Sequence, residues 1–171
     1  MYYQEKQEKK IVAKLIMAVG GIIAGFVIMR LIIVPFRVPD GSMEPSVRGG
    51  SLALILKPGT PKRGDVVLVE NSAESGRVML RRIAAAEGDS VEIREKVFYL
   101  NGSPYTFPWK TRASDKRIFP MIFSSRDTMP AIKIERRHYF ILSDNLDRGY
   151  DSRTIGVIPA EGIIGRLVYV Y

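Results

Sequence analysis

SLALILKPGTPKRGDVVLVE, residues 51–70, contains two short apolar runs separated by a turn, and this pattern decides the fold class. The runs at 51–57 and 65–70 read as strands, whereas the prolines and glycines between them favour a turn. The sequence therefore predicts a mostly β, antiparallel domain without a long soluble helix. Similar runs follow in RVMLRRIAAA (77–86), DSVEIR (89–94), KVFYLNG (96–102), HYFILSD (138–144) and IIGRLVYVY (163–171).

The most apolar stretch of the chain, residues 11–36, precedes these runs. About 20 residues suffice to cross a hydrocarbon core of about 30 Å, so the stretch is long enough to span a bilayer. Lys14 and Arg30 lie near its ends, where long side chains can reach the membrane interface. No small-residue cleavage site follows it. We therefore expect an uncleaved transmembrane anchor at 11–34, after an N-terminal tail at 1–10.

Composition limits the remaining classes of function. The 171 residues fit one β domain, 35–171, beside the anchor. The net charge of +8 is spread along the chain, with no compact basic helix, which favours attraction to anionic membrane lipids over binding of nucleic acid. The absence of cysteine excludes disulfides and thiolate metal ligands. We expect no metal and no other cofactor.

One segment departs from the regular strand pattern. Residues 103–137 are rich in proline and basic residues and contain few periodic apolar runs. We expect this segment to be a variable insertion into the β domain.

Four separated segments match one known pattern: VPFRVPDGSMEPS (34–46), RGDVVLV (63–69), LRRIAAAEGD (80–89), and SDNLDRGYDSR (143–153) followed by GVIPAEGIIGR (156–166). In order and spacing they resemble the boxes of bacterial type I signal peptidases, the Ser-Lys dyad serine endopeptidases. The resemblance implies a membrane-bound enzyme that removes signal peptides from exported preproteins. It also implies a single-pass protein of the bacterial inner membrane, with a cytoplasmic N-terminus and an extracytoplasmic, signal-peptidase-like β domain.

The resemblance identifies Ser42 as the nucleophile, which follows an extended lead-in at Pro35 and Pro39. In this family a neutral lysine removes the proton of the serine, but Arg81 occupies that position here. Arginine has no accessible neutral form, so Arg81 cannot act as a general base. Asp40 stands where a serine usually helps to bind the oxyanion, and it could help only if protonated or turned away.

Further site residues follow from the same resemblance. Asp144, Asp151 and Arg153 are expected to support the site, the last two as an ion pair. An apolar wall is expected to form the substrate groove, with pockets for small side chains, from Phe36, Val38, Pro39, Met43, Ala53 and Leu80.

Two functions remain open at this point. The first is a signal peptidase that uses Ser42, with an unrecognised base or a water in place of the lysine. The second is a pseudoprotease that binds signal peptides or a partner peptidase without cleaving. A self-cleaving repressor with the same Ser-Lys β fold is disfavoured, because no DNA-binding module is present and an anchor directly precedes Ser42.

Overall fold

The computed structural model describes residues 2–57, 59–71 and 76–171, with the side chains of 14–57, 59–70 and 76–171. The chain separates into two compact units, residues 1–34 and 35–171. Helix α1, Tyr2–Ile32, belongs to the first unit. Its segment Lys14–Ile32, 19 residues, is long and apolar enough to cross a membrane. Met1 of the predicted tail lies outside the described residues, and the boundaries of tail and anchor stay predictions.

The second unit is built mostly from antiparallel strands, which confirms the predicted fold class. Within the described residues the strands are β1 Ile33–Arg37, β2 Leu52–Leu56, β3 Val66–Asn71, β4 Arg77–Ala86, β5 Ser90–Arg94, β6 Val97–Leu100, β7 Ser103–Pro104, β8 Met129–Lys133, β9 His138–Leu142, β10 Ile158–Pro159 and β11 Ile163–Val170. One sheet has the order β1-β2-β11-β3-β4-β9-β10, and the other has the order β7-β6-β5-β8. A four-residue helix α2, Ser152–Ile155, and a 3-10 turn at Ala160–Gly162 precede the last strand.

The core lies on both faces of the larger sheet. Phe140 and Ile141 are adjacent in β9 and fully buried, and they belong to two different apolar clusters. Successive side chains of a strand point to opposite faces, so β9 separates the clusters. Phe140 packs beside Phe98 of the smaller sheet, with ring centroids 6.2 Å apart. This packing joins the two sheets.

Strand register brings the chemically distinctive segments together. In the β3–β4 pair Val67 faces Arg81, and in the β4–β9 pair Arg82 faces Leu142, so the segment that follows β9 begins beside β4. The loop between β1 and β2 is closed by a hydrogen bond from the Val38 amide to the Ser51 carbonyl (2.9 Å). This loop carries Ser42.

The predicted insertion at 103–137 contributes to the framework. It supplies β7 and β8, the two edge strands of the smaller sheet. The irregular part between them is held by ion pairs of Arg126 with Asp115 (3.1 Å) and Asp127 (2.7 Å).

Replacing Phe140 with alanine tests the packing between the sheets. We expect the free energy of unfolding to fall by about 3–5 kcal/mol, because a fully buried aromatic side chain leaves a cavity. Urea unfolding of the detergent-solubilised chain measures the change. The matched control is Phe123→Ala, since Phe123 is 81% exposed and its loss should change stability by less than about 0.5 kcal/mol. Equal effects of the two substitutions would contradict the assigned core.

Candidate active site

Ser42 is buried and engaged through its amide, its carbonyl and its hydroxyl. Its amide donates to Asp40 Oδ1 (2.9 Å), and its carbonyl accepts from the Asn145 amide (2.9 Å). Its hydroxyl oxygen accepts a hydrogen bond from Arg81 Nη1 (2.9 Å). The structure therefore brings together Ser42 and Arg81, which are 39 positions apart in the sequence.

Arg81 projects from β4 into a buried environment and is 5% exposed. Its Nε donates to the Tyr150 carbonyl (3.0 Å), and its Nη1 also donates to the Leu80 carbonyl (2.6 Å). A guanidinium carries five N–H donors and no acceptor. Every contact of Arg81 with Ser42 therefore leaves the hydroxyl as the acceptor.

Burial lowers the pKa of Arg81, because desolvation disfavours the charged form. The carboxylates of Asp151 and Asp40 oppose this effect, whereas the charges of Arg77 and Arg153 add to it. The ordinary pKa of arginine lies above about 12, so the side chain remains a cation at neutral pH.

The side chain of Asp40 contacts the backbone amide of Ser42. Its partial burial alone would raise its pKa, but hydrogen bonds from Ser42 and the positive charges of Arg81 and Arg148 lower it on balance. Asp40 is therefore ionised at neutral pH, and its carboxylate accepts a hydrogen bond from the Ser42 amide. Asp40 could help to bind an oxyanion only if it were protonated or turned away from the site. It is ionised and contacts the Ser42 amide, so neither condition is met.

A small cavity of about 60 Å³ opens beside Ser42. Three residues of the predicted groove, Val38, Pro39 and Leu80, lie in its wall. Met43 and Ala53 are fully buried in the core, so a ligand cannot reach them without rearrangement. Phe36 is half-buried in β1 and is not among the residues that line this cavity.

The Asp151–Arg153 ion pair is almost fully buried beside the site. Asp151 accepts from Arg153 Nε (2.9 Å) and Nη2 (2.8 Å), and also from the Ser143 amide (3.0 Å). Arg153 Nη1 in turn donates to the Leu146 carbonyl (2.9 Å). Burial alone would raise the pKa of Asp151, but the charge and hydrogen bonds of Arg153 and the backbone amides lower it. The pair fixes the segment between β9 and α2.

Asp144, the third predicted supporting residue, binds the arginine next to Arg81. Its two oxygens accept from Arg82 Nε (2.7 Å) and Nη2 (2.6 Å), and the side chain is 1% exposed. Arg82 Nη1 also donates to the Gly64 carbonyl (2.8 Å). Asp144 therefore ties the loop after β9 to β4 without contacting Ser42 itself.

Sequence reasoning missed Arg77, which lines the same cavity and places its guanidinium carbon 4.3 Å from the centre of the Tyr150 ring. Arg77, Met79 and Arg81 alternate along β4, so they share one face of the strand. That spacing was a usable signal for a second guanidinium at the site.

Gly149 lies against the Asp151–Arg153 ion pair. A β-carbon at this position would overlap Arg153 Nη2 and Asp151 Oδ2. The ion pair therefore fills the space that a side chain at position 149 would need.

The family model and the curated relatives indicate one family. A family model described as "Signal peptidase, peptidase S26" matches residues 9–171. Signal peptidase I of Bacillus licheniformis is 26% identical over an alignment of 155 positions, which covers 88% of this chain and 82% of that protein. Signal peptidase I of Pseudomonas aeruginosa is 26% identical over 190 residues, covering 85% of this chain and 66% of its own length. A crystal structure of signal peptidase I from Enterococcus faecalis, 22% identical, matches with a TM-score of 0.48 over 64% of this chain and 98% of that one.

Replacing Ser42 with alanine tests the hydrogen bond to Arg81. We expect the free energy of unfolding to fall by about 1–3 kcal/mol, because a buried guanidinium N–H loses its acceptor. The control is Ser46→Ala, since Ser46 accepts from Arg82 Nη2 (3.1 Å) at an exposed position where water can replace it. Denaturant unfolding compares the two. A stability of Ser42→Ala equal to or above that of the wild type would show that the contact contributes nothing.

The Asp151–Arg153 pair predicts a pH dependence of stability. The pKa of Asp151 is lower in the folded state, so the pair stabilises above the unfolded pKa of about 3.9, and this contribution is lost as the pH falls through the folded pKa. Asp151→Asn should cost about 3–5 kcal/mol at pH 7, because it leaves a buried arginine unpaired. The difference from wild type should shrink below about pH 4.

Unfolding curves of the two proteins from pH 7 to pH 3 measure this difference. Glu92→Gln makes the same kind of change in the exposed Glu92–Arg94 pair and should leave stability unchanged within error. A difference between wild type and Asp151→Asn that stays constant over the whole pH range would refute the assignment.

Proposed function

The chain belongs to the signal peptidase family, peptidase S26, and on this premise we propose that it binds signal peptides of exported preproteins beside Ser42 without cleaving them efficiently. The observation that carries the proposal is the hydrogen bond from Arg81 Nη1 to Ser42 Oγ. A donor in the position of the general base cannot take the proton that Ser42 must lose to attack a carbonyl.

The second requirement of acyl transfer is also unmet. A tetrahedral intermediate needs hydrogen-bond donors for its oxyanion. The Ser42 amide already donates to Asp40, and the ionised carboxylate of Asp40 would repel a developing negative charge. Neither Arg81 nor Asp40 therefore supplies what acyl transfer needs, while Val38, Pro39 and Leu80 offer an apolar wall.

Cleavage by Ser42 with a different base is the competing function. Among the side chains described at 14–57, 59–70 and 76–171, Asp40 is the carboxylate that lines the cavity, and the lining includes no lysine or histidine. The hydrogen bonds from Ser42 lower the pKa of Asp40 and make it a weaker base. The observed geometry therefore favours binding over catalysis.

The proposed location follows from the apolar helix. The segment Lys14–Ile32 would anchor the chain in the bacterial inner membrane as a single pass, with the N-terminus in the cytoplasm and the β domain outside. Signal peptides enter the same membrane. Anchoring would therefore keep the chain in the membrane that these ligands enter.

The substitution Arg81→Lys tests the proposal directly. We expect the detergent-solubilised wild type to leave a synthetic preprotein substrate uncut. The cleavage rate of Arg81→Lys should exceed the wild-type background by about 10²-fold or more, because a buried lysine can lose its proton and act as a base. Adding Asp40→Ser should increase the rate further, since it removes a repelling carboxylate and restores a donor. Product formation is measured by gel shift and mass spectrometry.

Two controls separate restored chemistry from a general effect of the substitution. Arg82→Lys makes the same change at the neighbouring residue, which binds Asp144 and not Ser42, and should gain no cleavage. Adding Ser42→Ala to Arg81→Lys should abolish the gain. Cleavage by the wild type that disappears in Ser42→Ala would overturn the proposal and establish an active peptidase.

A further inference from the structure

We infer that the cavity beside Ser42 recognises the free α-carboxylate of a peptide that ends in a small residue, in preference to an uninterrupted chain. This inference rests on the proposed function and names the form of the ligand. A peptide bond must be hydrolysed elsewhere to produce such a terminus. The site would therefore receive the product of another peptidase.

The charge of the cavity wall is the first support. The wall contains two guanidinium groups, from Arg77 and Arg81, and one carboxylate, from Asp40. Arg148 adds a further positive charge that acts on Asp40. The nearby carboxylate of Asp151 is already bound by Arg153 at 2.8 Å. Guanidinium groups outnumber carboxylates among the side chains that line the cavity, and such a wall suits an anionic group better than a neutral amide.

A carboxylate already occupies the expected position. Asp40 Oδ1 accepts the Ser42 amide at 2.9 Å, beside the hydroxyl that Arg81 holds. This contact shows that the Ser42 amide can donate a hydrogen bond to a carboxylate. Asp40 is itself exposed, so its side chain can turn to solvent when a ligand carboxylate takes its place. In this arrangement Asp40 acts as an internal competitor.

The size of the cavity limits the residue that carries the carboxylate. A volume of about 60 Å³, with Val38 and Leu80 each 2% exposed in its wall, admits a small side chain and excludes a large one. Alanine or glycine at the end of the peptide fits this space. An uninterrupted chain would have to continue past the guanidinium groups with a neutral amide, and its hydrogen bonds to them would have one charged partner instead of two.

Binding of matched peptides to the full-length chain in detergent tests the inference. The probe is a fluorescent peptide with an apolar segment that ends in Ala-Gln-Ala, made either as the free carboxylate or as the carboxamide. We expect the carboxylate form to bind at least tenfold more tightly by fluorescence anisotropy, and the preference to weaken as salt is raised. A polar peptide with the same last three residues distinguishes a cleaved signal peptide from any other C-terminus, and it should bind more weakly.

Variants assign the preference to the named side chains. Arg77→Gln should reduce it, because one of the two cations in the wall is lost. Asp40→Asn should strengthen binding of the carboxylate form alone, because it removes the competing charge. Arg94→Gln, at an exposed arginine paired with Glu92, should change neither affinity. Since the carboxylate and carboxamide peptides are compared on the wild type, the test does not depend on the folding of a variant.

The outcomes separate this inference from the function on which it rests. Equal affinity for both peptide forms would overturn the carboxylate preference and leave signal-peptide binding intact. Failure of both forms to bind at any practicable concentration would overturn the proposed function as well. A tenfold preference that is reduced in Arg77→Gln and unchanged in Arg94→Gln would support the inference.

Discussion

The buried ion pair between Asp151 and Arg153 is the constraint on which the site depends. Asp151 caps α2 by accepting the Arg153 amide (3.2 Å) and also accepts the Ser143 amide at the end of β9. Arg153 reaches the Leu146 carbonyl, and its own carbonyl accepts from Ser125 Oγ of the insertion. One pair thus holds the loop after β9, the short helix and part of the insertion. Two charges buried this deeply are tolerated because the Asp151 carboxylate and the Arg153 guanidinium bind each other and neighbouring backbone groups.

This constraint explains how a second buried guanidinium can exist next to the first. Arg81 loses hydration on burial, which lowers its pKa, and the carboxylates of Asp151 and Asp40 offset part of that cost. Lysine in the same place could become neutral, but arginine cannot, so the site has to supply negative charge. Asp40 adds such a charge beside Arg81. The presence of arginine at position 81 together with aspartate at position 40 is therefore electrostatically consistent.

Much of the fold was predictable from the sequence, since local patterns specify strands. RVMLRRIAAA coincides with β4, Arg77–Ala86, and HYFIL coincides with β9, His138–Leu142. The edge strands that the insertion supplies were not predictable, because strand pairing depends on contacts between distant segments. The motifs indicated that Ser42 and Arg81 belong to one site. The contact of Asp40 with the Ser42 amide depends on the turn that the backbone makes between them, which composition and spacing do not specify.

The persistence of Ser42 has a physical explanation that does not require catalysis. Arg81 is buried and carries five N–H donors, and its described acceptors are the carbonyls of Leu80 and Tyr150 and the hydroxyl of Ser42. Replacing the serine would remove one of these acceptors in a region that water reaches poorly. Ser42 therefore has a structural role as an acceptor for Arg81, and this role does not depend on catalysis. A serine within a matching motif is then evidence of common ancestry and of a hydrogen bond that Arg81 needs. Peptidase activity depends on a different property, namely whether the group beside the serine can accept its proton.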